Sequence, residues 1–214
     1  MPLTTPPECG ESVTTRPEPA DEELLRRFKG GDCQAFELLL GRYETPIYNF
    51  LLRSVRDRDV AADLTQEVFL RVVRRAEQFQ GNSKFSTWLY TIARNLSIDH
   101  GRKMVFRRHR SLDAPVGSET GSAPLVDRLA GTEPGSDRKT IAQRLQVDIA
   151  RAVEALPPDQ REVFLLRQVQ GMPFKAIAEV VGAPENTVKS RMRYALERLQ
   201  EALGDYRDYL GELT

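Results

Sequence analysis

Two cysteines and two histidines in 214 residues leave little material for several kinds of chemistry. Cys9 and Cys33 have no metal-ligand spacing, and neither His100 nor His109 lies near them in sequence, so no metal site can be assembled from them. Two free thiols in a reducing cytoplasm are expected. No stretch approaches the ~18 consecutive apolar residues of a membrane span, and the N-terminus has no basic start followed by an apolar run. A soluble, cytoplasmic chain without membrane insertion is expected. Alternating runs of Val, Ile and Thr are also missing, whereas apolar residues recur three and four apart, which predicts an all-α protein.

Net charge is lacking too, since 31 basic residues meet 31 acidic ones. A neutral chain would ordinarily argue against a nucleic-acid partner, but the neutrality is a cancellation. Residues 1–20 carry −2, 21–110 carry +5, 111–137 carry −4, 138–203 carry +3 and 204–214 carry −2. A phosphate backbone responds to charge within a Debye length of ~8 Å, so two basic segments matter more than their sum with acidic neighbours.

Five prolines and almost no large apolar residue make residues 1–20 an expected disordered tail. Asp21 is the expected N-cap of a helix carrying Leu24, Leu25 and Phe28, broken by Gly30, Gly31 and Asp32. A second helix takes up Phe36, Leu39 and Leu40 and continues past Pro46 to Leu51. From Asp57 to about Gln78, Val60, Ala61, Leu64, Val68 and Val72 form one apolar stripe. A loop over residues 79–84 precedes a helix at about 86–103 with Leu89, Ile92 and Leu96 inward. The first domain spans 21–110. Residues 111–137, rich in Gly and Pro, are an expected flexible acidic linker. A second domain over 138–203 is expected to hold helices at about 138–155, 159–170, 174–181 and 185–203, followed by a tail at 204–214.

The last two helices have the chemistry of a helix-turn-helix. Gly182 permits the positive φ of a tight turn, and Pro184 suits the first position of the next helix. On that helix Val188, Met192, Ala195, Leu196, Leu199 and Leu203 share an inward face. Asn186, Thr187, Ser190 and Arg193 lie opposite, flanked by Lys189 and Arg191, with Lys175 and Glu185 at the starts of the two helices. A polar, basic outer face is what entry into a major groove requires. Arg193 has the fork to pair with guanine and Asn186 the amide to pair with adenine, while Lys189 and Arg191 suit phosphates. The plainer alternative is a helical hairpin with a solvated charged face.

Four stretches narrow the class: Asp63-Leu64-Thr65-Gln66-Glu67-Val68-Phe69-Leu70, Phe85-Ser86-Thr87-Trp88-Leu89-Tyr90-Thr91-Ile92-Ala93-Arg94-Asn95, Leu156-Pro157-Pro158-Asp159-Gln160-Arg161-Glu162-Val163-Phe164 and Thr187-Val188-Lys189-Ser190-Arg191. Together, and in this order, they resemble the extracytoplasmic-function (ECF, group 4) sigma factors of the sigma-70 superfamily.

The resemblance implies a non-catalytic subunit, without cofactor or metal, that joins the RNA polymerase core and takes it to promoter DNA. Its first domain would bind the β′ clamp helices through Asp63, Leu64, Gln66, Glu67, Phe69 and Leu70. The same domain would open the −10 element. Gln80, Gly81, Asn82 and Ser83 would form the pocket for an extruded base. Phe79, Trp88 and Tyr90 offer stacking surface, Lys84, Arg94, Arg102 and Lys103 offer phosphate contacts, and Asn95 completes the candidates. The second domain would read the −35 element and clasp the β flap. On charge alone, the linker's net −4, with Asp113, Glu119, Asp127, Glu133 and Asp137, suits a channel built for a polyanion, and the linker would thread toward the RNA path. The resemblance further implies an anti-sigma factor as partner.

Two other classes compete. A two-domain helix-turn-helix regulator would bind operators without joining polymerase, but the N-terminal half lacks the alternating strands and helices of a phospho-receiver. A nucleic-acid enzyme would need a metal cluster, a phosphate loop or a nucleophile with its base, and none can be built from these residues.

Overall fold

The computed structural model describes residues 18–111 and 137–206, and among these every regular element is helical. Residues 1–17 of the tail expected over 1–20, 112–136 of the linker expected over 111–137 and 207–214 of the tail expected over 204–214 lie outside the described residues. Four helices form a first cluster: α1 Asp21–Lys29, α2 Cys33–Val55, α3 Arg58–Arg75 and α4 Phe85–Ser111. A 3-10 turn at Ala76–Gln78 closes α3. The second cluster holds α5 Asp137–Ala155, α6 Pro158–Phe164, α7 Phe174–Val181 and α8 Glu185–Ala202, with a wider π turn at Leu165–Val169 after α6.

Side-chain capping accounts for the starts of α2 and α3. Asp32 caps α2 by accepting from the Gln34 and Ala35 amides at 3.1 and 3.3 Å, and Asp57 caps α3 by accepting from Val60 N–H at 3.0 Å. The Arg27 guanidinium beside Asp32 holds its carboxyl below the usual range. Asp21 departs from expectation. Ala20 occupies the cap position of α1, and Asp21 is its first helical residue. Its carboxylate instead takes Arg42 Nη1 at 2.7 Å and the Tyr43 hydroxyl, a tertiary link from α1 to α2 that outcompetes a local cap. Pro46 sits inside α2 without ending it. Pro184 is the residue before α8 and not its first, a displacement of one position at a helix end.

The core of the first cluster is built from fully buried Leu24, Leu25, Leu39, Leu51, Val68 and Leu89. Thr65 and Phe69, outside the expected α3 stripe, are buried as well; Thr65 satisfies its hydroxyl by donating to the Ala61 carbonyl at 2.7 Å. Tyr90 is only 1% exposed and packs edge-on against Phe50, so it belongs to the core and offers no surface for stacking bases. Burial pushes its hydroxyl well above the ordinary range.

The two clusters pack on each other. Helix α4 lies against α7, and the buried set runs without a break from the first cluster through Val163, Leu166, Met172, Ile177 and Val188. A separate, smaller cluster of Ala152, Val153, Leu156, Leu165, Ala195 and Leu199 joins α5 to α8. Among the described residues, two polar links cross the same boundary. Arg94 Nε donates to Glu162 Oε1 at 2.7 Å, and Arg56 Nη2 donates to the Glu154 carbonyl at 3.0 Å.

Candidate nucleic-acid interface

In the second cluster, α7 ends at Gly182, whose φ of 65° and ψ of 38° place it in the left-handed region that the sequence required. Its N–H and that of Ala183 both donate to the Ala178 carbonyl, and Pro184, with φ −57° and ψ 144°, turns the chain into α8. Val188, Met192, Ala195 and Leu199 are buried, which fixes the rotation of α8. Leu196 departs from the expected inward face. It is 40% exposed, because the packing stripe follows positions 188, 192, 195 and 199 and leaves it at the margin.

Asn186, Thr187, Ser190 and Arg193 are all exposed on the other side, together with Glu185, Lys189 and, on α7, Lys175. Their ion pairs are of two kinds. Lys189 meets Glu185 at 2.7 Å and Arg193 meets Glu197 at 3.6 Å, both exposed i,i+4 pairs worth about 0.3–0.5 kcal/mol and readily exchanged for phosphate. Arg193 also lies over the Tyr194 ring at 4.9 Å. Arg191 is half-buried and bound to Asp159 on α6 at 2.7 Å, so it fastens the helix-turn-helix to the rest of its cluster.

In the first cluster, the turn between α3 and α4 presents a different kind of surface. Gln80, Gly81, Asn82 and Lys84 are exposed and Ser83 is half-buried. Gly81 has φ 75°, and Asn82 Nδ2 donates to Gln80 Oε1 at 3.3 Å. Phe79 and Trp88 are half-buried, with ring centroids 5.2 Å apart, and both pack on Phe85. The aromatic pair therefore anchors the loop from below and shows only part of its surface. Lys29 Nζ donates to the Phe79 carbonyl at 2.6 Å, and Phe85 N–H donates to Glu22 Oε1 at 2.9 Å.

Along α4, Trp88, Asn95 and Arg102 recur every seven residues and so share one side of the helix; Asn95, Arg102 and Lys103 are exposed. Arg94 points elsewhere. Its pairing with Glu162 turns it toward α6 and leaves its side chain 21% exposed, so the contact expected with phosphate is occupied from within. Burial of Glu162 pushes its carboxyl up despite the opposing pull of Arg94; Asp159 adds to the rise and Arg191 opposes it.

On α3, Asp63, Gln66 and Leu70 face outward, and Leu70 is 49% exposed. Val73, one turn further and 43% exposed, extends this outer strip and was not singled out in the sequence. Glu67 is half-buried and paired with Arg71 at 2.8 Å. Leu64 packs on the core, and Phe69 is 7% exposed against Phe36, so these two serve the interior. Among the described residues no His, Cys, Asp and Glu group is placed to hold a metal ion, and no helix is long and apolar enough to cross a membrane.

Helical throughout its described residues and carrying an exposed, basic helix-turn-helix, the chain has the architecture of a DNA-binding protein. Comparison with known proteins gives the family. Residues 39–105 match the family model for sigma-70 region 2, and residues 146–199 match that for sigma-70 region 4. The chain is 32% identical over 183 residues to the RNA polymerase sigma-H factor of Pseudomonas aeruginosa, covering 86% of this chain and 93% of that one. It is 31% identical to the ECF RNA polymerase sigma-E factor of Escherichia coli K12, covering 84% and 92%. The sigma factor RpoE of Bartonella quintana, solved in complex with the anti-sigma factor NepR, superposes with a TM-score of 0.60 at 25% identity, covering 79% of this chain and 96% of that one. The chain belongs to the extracytoplasmic-function sigma factors of the sigma-70 superfamily, non-catalytic transcription factors that direct RNA polymerase to promoters.

Proposed function

We propose that this sigma factor divides promoter recognition between two surfaces. The exposed face of α8, with Asn186, Thr187, Lys189, Ser190 and Arg193, reads the −35 element as duplex, aided by Lys175 and Glu185. The loop over residues 79–84 captures an unpaired base of the −10 element, while Lys84, Asn95, Arg102 and Lys103 follow the backbone. The outer strip of α3, with Asp63, Gln66 and Leu70, docks on the β′ clamp helices, and the second cluster clasps the β flap. The observation that carries this reading is the pairing of an outward-facing polar loop with an outward-facing basic helix in one chain. A base-reading helix needs a duplex groove, whereas a loop with exposed amide side chains suits a base removed from its stack.

An anti-sigma factor is the expected inhibitory partner, since the structurally similar RpoE was solved with one. A protein that covered both the α3 strip and α8 would block the core and the DNA together.

The experiment is direct. Purified chain is added to sigma-free core polymerase with fragmented genomic DNA of the source organism, and transcripts are mapped. Promoter-specific start sites that depend on the chain support the reading; stable DNA binding without core association contradicts it.

A further inference from the structure

The loop is held at both ends by one helix remote in sequence. Glu22 and Lys29 stand seven residues apart on α1, hence on one face and about 10 Å apart along its axis. Leu24 and Leu25, both fully buried, fix that helix to the core. From this rigid face Lys29 binds the carbonyl of Phe79, which opens the loop, across 50 positions of sequence. Glu22 binds the amide of Phe85, which closes it, across 63 positions. The Lys29 ammonium also lies 5.9 Å from the Phe79 ring centroid. Both bonds involve one charged partner, the stronger class of hydrogen bond.

The hydrophobic packing beneath the loop does not require them, because Phe79 is already seated on Phe85 and Trp88. What they add is definition of the two backbone ends between which Gln80, Gly81, Asn82 and Ser83 are presented. We propose that Lys29 and Glu22 are positioning residues that preset the loop for capture of an unpaired base, so that the ordering needed for binding is already complete in the free chain. This rests on the reading of the loop as the base-capturing element.

The test uses holoenzyme reconstituted from core polymerase and full chain. The probe is a fork-junction DNA whose single-stranded arm is randomised and whose upstream duplex is constant. Retention and base preference are measured for wild type, Lys29→Met, Glu22→Ala, Lys29→Arg and a Gln80→Ala/Asn82→Ala loop variant, with thermal stability and core affinity recorded for each. Lys29→Met and Glu22→Ala are expected to lose about tenfold in single-strand retention and to flatten the base preference, the scale of one charge-assisted bond. Core affinity and binding to fully duplex DNA stay unchanged, and Lys29→Arg restores most of the preference. A purely structural role would lower thermal stability without touching base preference. If both α1 variants keep wild-type retention and preference while the loop variant loses them, the positioning role is overturned. If the loop variant is also silent, the loop does not capture a base and the proposal falls with that reading.

Discussion

The two surfaces proposed to meet DNA are built in opposite ways. On α8 the polar groups are carried by a regular helix whose rotation is fixed by its own buried stripe, and their ion pairs are local and exposed. Between α3 and α4 the polar groups stand on a short loop whose geometry is fixed from elsewhere, by Lys29 and Glu22 on α1 and by the tilted and edge-on packing of the Phe79, Phe85 and Trp88 rings. A helix suits a groove of constant shape. A loop held at its ends suits a single extruded base.

The shared core offers the largest test of this contrast. Ile177 on α7 and Leu89 on α4 are both fully buried in the set that runs through both clusters. Ile177→Ala and Leu89→Ala should each destabilise by about 2–5 kcal/mol, and thermal unfolding should remain one transition in both variants. Two separated transitions, each moved by one variant only, would show that the clusters fold independently.

Glu162 sharpens the comparison at the boundary. Its carboxyl is pushed above the ordinary range chiefly by burial, so the folded chain holds that proton more tightly than the unfolded chain does. Stability contributed by this proton is present below the ordinary carboxylate range and is lost as pH rises through the raised value; above that it is level. Subtracting the pH profile of Glu162→Gln from that of wild type should leave this downward slope. Glu162→Ala, which strands Arg94 at the boundary, should destabilise by about 1–3 kcal/mol, less than a fully buried pair because both side chains retain some exposure. A flat difference profile would place the pair in solvent.

Gly182 carries a smaller, local effect. A Cβ there meets nothing within 4 Å, so Gly182→Ala tests only the φ of 65° and should destabilise by about 1–2 kcal/mol in denaturant unfolding. The smallest stability changes belong to α8. Arg193→Ala and Lys189→Ala should each shift stability by less than about 0.5 kcal/mol, since both sit in exposed pairs. Their DNA phenotypes should differ. Arg193→Ala relaxes preference at one −35 position, and Lys189→Ala weakens binding to all sequences and lowers its salt dependence, as measured by titration at several salt concentrations.

Legibility in the sequence followed the range of the interactions. The all-helical fold, the helix-turn-helix and the turn at Gly182 were readable because their causes lie within a few residues: apolar spacing, a residue free to take positive φ, and a proline after it. Asp57 was readable as a helix start for the same reason. The role of Asp21 is not legible locally, because Arg42 and Tyr43 claim its carboxylate from twenty-one and twenty-two positions away. The same limit hid Lys29 and Glu22 behind the loop and turned Arg94 from a candidate phosphate contact into the partner of Glu162. The resemblance offers Phe69 and Tyr90 as contact residues, yet both are buried, because a periodicity stripe is narrower than the buried face it marks and large aromatics at its margin are drawn in by the area they bury. Leu196 shows the converse on α8, where the margin falls outside the contact.

Footprinting of holoenzyme on a chain-dependent promoter, with strand opening read by permanganate and duplex protection read upstream, tests the division of labour most directly. The Gln80→Ala/Asn82→Ala variant should keep upstream protection and lose opening, while Arg193→Ala should weaken upstream protection and leave opening intact on a promoter already bound. Identical footprints for the two variants would contradict the assignment of separate tasks to the loop and to α8.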